Sequence, residues 1–102
     1  MRRTWPAQPA QSTPGSYHHV TTRGVARGDL FLAAADRLAF LGRLAEAHQR
    51  WGLVFHGYCL MTNHYHVEVE TPNGGLSKAF GWINQSHAIF VNRSTGRDGS
   101  LF

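Results

Sequence analysis

His64 and His66 are the side chains in this sequence best spaced to do chemistry together. In an extended strand alternate side chains share a face. His64 and His66 then point one way, followed on that face by Glu68 and Glu70, while Tyr65, Val67 and Val69 point the other way. Two neutral imidazoles side by side on a rigid strand can ligate one divalent first-row metal. The plainer alternative is a pair of half-exposed histidines on an amphipathic strand, and the bare His-x-His spacing by itself favours it. Glu68 and Glu70 read as solvated strand polarity, with Glu68 also able to help a nearby metal.

The elements that must position this pair follow from the pattern on either side. Residues 17–23 (YHHVTTR) are rich in β-branched and aromatic types and form a first strand. Gly24 and Gly28 bracket a turn carrying Arg27 and Asp29. Arg23 and Arg27 thus sit at a strand exit, a natural place for phosphate contacts. Residues 33–51 form a helix whose apolar side is read as Leu38, Leu41, Leu44, Ala45, His48 and Trp51. Asp36 suits the dipole at its start and Gly52 ends it. His48 reads as an ordinary core-edge residue. Residues 53–61 (LVFHGYCLM) form a second strand, and Thr62-Asn63 turns it tightly into the His64 strand. That hairpin sets Met61 opposite His64 and Cys59 opposite His66. A thiolate ligand at Cys59 is conceivable, but a single buried thiol is the simpler role.

Residues 71–75 (TPNGG) break the pattern as a loop. A second helix runs over 76–93, with Leu76, Ala79, Phe80, Ile83, His87, Phe90 and Val91 as its apolar stripe. His87 lies inside that stripe, turned toward the sheet; its bland reading is a satisfied core-edge histidine. Residues 93–102 are polar and glycine-containing, with no further helix or strand. Residues 1–16 hold three of the four prolines with Gln, Ser and Thr and read as a mobile arm. Strands and helices each have one apolar face, which implies two layers, an α+β fold with an antiparallel sheet and two helices on one side.

With 102 residues the chain suits one small domain with one core. Ten Lys and Arg oppose six Asp and Glu, a formal charge of +4, and all the basic residues but Lys78 are arginines. Guanidinium groups pair with phosphate at two points, so this balance supports a nucleic-acid partner without requiring one. One cysteine, Cys59, rules out an intrachain disulfide framework and fits a reducing cytoplasm. No apolar run of about 18 residues is present, so no membrane span is expected. Residues 1–16 lack the apolar core of a secretory signal.

Four ordered pieces then share a resemblance. They are His19-Val20 with Thr22-Arg23-Gly24; Phe31 and Asp36-Arg37 with Phe40-Leu41; Cys59-Leu60-Met61-Thr62-Asn63-His64-Tyr65-His66; and Asn92-Arg93, Gly96-Arg97 and Gly99-Ser100-Leu101-Phe102. Over residues 17–102 the sequence resembles the HUH-type single-tyrosine transposases, particularly the REP-associated group, with Thr62 where that family usually has Pro. The resemblance implies a ferredoxin-like or RRM-like domain. It implies Mg²⁺ or Mn²⁺ on His64 and His66, and single-stranded or hairpin DNA as substrate, contacted by Arg23, Arg27, Arg93 and Arg97. It also implies a helix tyrosine that attacks the phosphate and forms a covalent link.

Two departures qualify it. The family tyrosine lies five residues before the Asn of Asn-Arg, and that position here is His87. The family also continues beyond the point where this sequence stops at Leu101-Phe102, as in a truncated copy or fragment. Tyr65 points away from the histidine face and is a poor substitute nucleophile. His87 is open to three roles: third metal ligand, general base for water in a nickase, or a space-filler, with a phosphohistidine the least favoured. The expectation is a protein that binds, and with its metal nicks, single-stranded DNA, with strand transfer lost. The alternative is a non-catalytic single-strand binding module, monomeric or homodimeric, since binding by aromatics and arginines needs no metal. A zinc hydrolase using His64, His66 and either Cys59 or His87 is a third possibility. All the chemistry rests on the rings at 64, 66 and 87 converging on one pocket.

Overall fold

A computed structural model describes residues 2–4 as backbone, and 15–96 and 99–102 with their side chains. Its elements run β1 (Arg2–Thr4), β2 (Ser16–Arg23), α1 (Ala34–Trp51), β3 (Val54–Leu60), β4 (His64–Thr71) and α2 (Leu76–Thr95). The sheet is antiparallel in the order β1-β3-β4-β2, and both helices pack on one of its faces. The α+β reading therefore holds, compatible with a ferredoxin-like arrangement. Every expected strand and helix lies within two residues of its expected bounds. The exception is at the start: the arm expected over 1–16 contributes a short strand, Arg2–Thr4, on the outer edge of β3, and Ser16 opens β2. Among the described residues no helix is long and apolar enough to cross a membrane.

The hairpin forms as its turn residues demand. Met61 N–H donates to His64 C=O at 2.9 Å and Cys59 pairs with His66, as the two-residue loop requires. The alternation along β4 then sorts its residues. Tyr65, Val67 and Val69 enter a core shared with Phe31, Phe40, Leu44, Phe55, Phe80, Ile83 and Val91. His64, His66 and Glu68 turn to the side away from α1 and α2.

Helix α1 corrects the expected phase of its apolar side. Its buried positions are Asp36, Phe40, Leu44 and Ala47, whereas Leu38 is exposed. Asp36 is buried because its carboxylate accepts from the backbone N–H of Leu32 (2.7 Å) and Ala33 (3.0 Å), which caps the helix start. At the other end Gly52 takes a left-handed conformation (φ 70°), and His48 Nδ1–H donates to Leu53 C=O at 2.6 Å, sealing the turn into β3. Arg50 lies over the rings of both Trp51 (4.4 Å) and Trp82 (4.8 Å), which pins the α1–α2 seam by cation–π contact.

Candidate functional site

The face of the sheet opposite the helices is built in cross-strand rows. Tyr17 pairs with Glu70, His19 with Glu68, Thr21 with His66 and Arg23 with His64 across β2 and β4. On the other side of β4, Gly57 lies opposite Glu68 and Cys59 opposite His66. Directly opposed residues share a face, so this face carries His19, His64, His66, Glu68, Arg23 and Tyr17 together. A bulge between Phe55 and Gly57 adds His56 to the set.

His64 and His66 stand edge to face with ring centroids 5.0 Å apart. His64 Nδ1–H donates to Asn63 Oδ1 at 2.8 Å, which places the neutral ring's lone pair on Nε2. This is the arrangement by which an outer partner orients a metal-binding histidine. His66 Nδ1 lies 3.1 Å from both His19 Nε2 and Thr21 Oγ1. A metal on His66 would have to displace these contacts or use Nε2. Two imidazoles can fill two positions of a Mg²⁺ or Mn²⁺ shell, the rest being oxygens of water and phosphate. Among the described residues no group of three or more His, Cys, Asp and Glu is set to hold an ion.

His87 is elsewhere. It is 1% exposed, on the Tyr65 side of the sheet, among Phe31 (4.9 Å between centroids), Phe40 (5.3 Å) and Phe102 (6.3 Å). Its Nε2–H donates to Leu30 C=O at 2.8 Å, while Nδ1 is buried without a hydrogen-bond partner. Burial pushes its pKa below the ordinary histidine value, so the ring is neutral near pH 7. It does face inward, as its stripe position implies. The expectation that it converges with His64 and His66 fails, because the pair projects from the opposite face of β4. Roles for His87 as third metal ligand or as base beside that metal fail with it.

The tyrosines divide likewise. Tyr65 is fully buried, donates to Asn84 Oδ1 at 2.6 Å, and burial drives its pKa up to about 12 despite hydrogen bonds to Thr22 and Asn84. It is no nucleophile. Tyr58 pairs with Val67, a core-side position. Tyr17 is the exception: it is 56% exposed on the histidine face. Desolvation, then the Glu70 charge and a hydrogen bond to that carboxylate, hold its phenol above the ordinary value.

The arginines also part company. Arg23 extends the His64 row, and exposed Arg27 lies in a turn tied to the hairpin, since Gly24 N–H donates to Asn63 C=O at 2.8 Å. Ala26 (φ 52°) and Arg27 (φ 61°) both adopt left-handed backbone, a costly geometry outside glycine. Arg93 instead lines a cleft between the helices with Arg43, Ser86, Ile89, Phe90 and Ser94, on the helix side of the sheet. Arg97 lies outside the described residues.

Glu70 corrects the reading of solvated polarity. It is 4% exposed and its Oε1 lies 3.2 Å from His56 Nε2. Sequence reasoning passed over His56, Tyr17 and His19 as site residues. The bulge that turns His56 onto this face leaves no periodic trace, but the alternation of β2 could have placed Tyr17 and His19 beside the His64 strand.

Compared with protein-family models, with curated proteins and with solved structures, the chain matches none.

Proposed function

We propose that this protein binds single-stranded DNA across the sheet face opposite its helices, as a binding module and not as a strand-transfer enzyme. The observation that carries the reading is the sheet face opposite the helices, where His19, His64 and His66 lie in adjoining rows with Arg23 at one end. A sheet with rings and cations on an exposed face gives bases something to stack on and phosphates something to pair with. The formal charge of +4 adds long-range attraction. The resemblance to REP-associated transposases supports the same partner, including hairpin DNA. His87 buried in the core argues for binding alone, since α2 then offers no reactive group to this face.

Mg²⁺ or Mn²⁺ belongs to the proposal as a clamp. His64 and His66 would hold the ion, and it would supply positive charge to a backbone phosphate.

Fluorescence anisotropy with a labelled hairpin carrying a single-stranded tail tests this. Binding should weaken steeply with salt, and Arg23→Ala and Arg27→Ala should each lower the slope of log K against log salt by roughly 0.7. His64→Ala with His66→Ala should remove any gain in affinity from Mn²⁺ and also weaken metal-free binding, since both rings belong to the stacking surface. Absence of binding at about 50 mM salt would refute the reading. An SDS-resistant protein–DNA adduct would replace it with the enzyme reading.

A further inference from the structure

The hairpin carries two sulfur donors that neither the phosphate clamp nor the arginines use. Opposed residues share a face, so Cys59 with His66 and Met61 with His64 form two adjoining rows on the side away from α1 and α2. Residues two apart on a strand have Cα atoms about 6.6 Å apart. Cys59 Sγ nevertheless lies only 3.6 Å from Met61 Sδ, so the two side chains lean together. Met61 is 42% exposed, which leaves its thioether within reach of solvent. His64 stands across the turn from Met61. The bond from its Nδ1–H to Asn63 Oδ1 makes Nε2 the atom with a lone pair to give.

We propose that Cys59, Met61 and His64 bind one Cu(I) ion, through thiolate, thioether and imidazole Nε2. The donor types choose the ion. A thiolate beside a thioether selects a soft metal, and Cu(I) is the first-row ion that takes both. Zinc draws on thiolate, imidazole and carboxylate, and no group of three of these is assembled among the described residues. Mg²⁺ and Mn²⁺ take oxygens and would leave both sulfurs unused. The spacing fits as well. Two sulfurs bonded to one ion at about 2.3 Å stand roughly 3.8 Å apart at a tetrahedral angle. The observed 3.6 Å needs almost no rearrangement to meet that. Binding is not a redox step: the Cu–S bond forms as the Cys59 S–H proton passes to water, and the ion stays Cu(I). The site shares only His64 with the phosphate clamp.

Titration with Cu(I) under ascorbate and without oxygen tests this, with bicinchoninate as the competing chelator. The wild-type chain draws one Cu(I) per chain from the chelator. Cys59→Ser abolishes the transfer. Met61→Leu and His64→Ala each weaken the affinity at least about tenfold, since a direct ligand matters no less than an outer partner. Met61→Leu is the deciding variant, because it keeps the thiol and nearly the same side-chain volume. Wild-type affinity in Met61→Leu means that the thiol alone takes the metal, and it overturns the proposal. Failure of the wild-type chain to draw Cu(I) overturns it too. X-ray absorption of the copper-loaded wild type reads the donors with no substitution: two sulfurs and one nitrogen uphold the site, and a single sulfur refutes it. None of these measurements involves DNA, so the site stands or falls apart from the single-strand proposal.

Discussion

The Tyr65 hydroxyl donates to Asn84 Oδ1 at 2.6 Å, on the side of β4 away from His64 and His66. One residue of sequence thus separates a ring locked in the core from two imidazoles on the opposite face. The contact joins the strand to α2 by pairing the buried phenol with the half-buried Asn84 amide. Tyr65→Phe should cost about 1 kcal/mol in urea unfolding, because the half-buried Asn84 Oδ1 loses its donor.

The same phenol predicts an alkaline limit. Its folded pKa of about 12 exceeds the unfolded value of 10.0. The contribution is fully present below pH 10 and is lost as pH rises toward 12, because the unfolded chain releases its proton first. The difference between wild type and Tyr65→Phe should shrink over that window, and absorbance titration of tyrosinate should show one phenol that ionises only with unfolding.

His87 sets the opposite limit. Its folded pKa lies below the unfolded 6.5, so its contribution is present above pH 6.5 and is lost as pH falls below it. Thermal melts at pH 7.5 and 5.5 should show a larger acid loss for wild type than for His87→Leu. The substitution also removes a buried nitrogen that has no partner, which offsets the lost bond to Leu30.

His87→Tyr should not recreate a transposase nucleophile. The new phenol would enter a space closed by Phe31, Phe40 and Phe102, on the wrong side of β4. Overpacking should cost about 1–3 kcal/mol. Incubation with hairpin DNA and Mn²⁺ should give no SDS-resistant adduct; such an adduct would show that the helix face can reach the DNA.

Gly24→Ala should damage the arginine turn. A Cβ at that position would stand 2.1 Å from the Gly28 carbonyl oxygen, although the Gly24 φ of −66° suits any residue. The clash is with backbone and cannot be relieved by a rotamer, so a loss of about 2 kcal/mol or more is expected in stability. Binding of single-stranded DNA should weaken as well, since Arg27 rides on this turn.

Local pattern alone determined the elements of this protein. β-branched and aromatic enrichment over 17–23, period-two alternation over 64–70, a two-residue turn at Thr62-Asn63 and an apolar stripe through α2 are interactions between near neighbours, and they specify strands, register and helix whatever lies beyond. The same alternation placed Tyr65 opposite in sense to His64 and His66. The tertiary structure alone decided which groups meet. His87 is inward-facing in sequence terms, but inward means toward the layer between sheet and helices, and the histidine pair projects from the sheet's other face. A two-layer fold has one inside, so a ring on a helix stripe and a ring on the polar side of a strand are parted by the sheet itself. Likewise Glu70 became buried, and His56 joined Tyr17, through a bulge and a cross-strand pairing between segments about fifty residues apart, which short-range pattern does not encode.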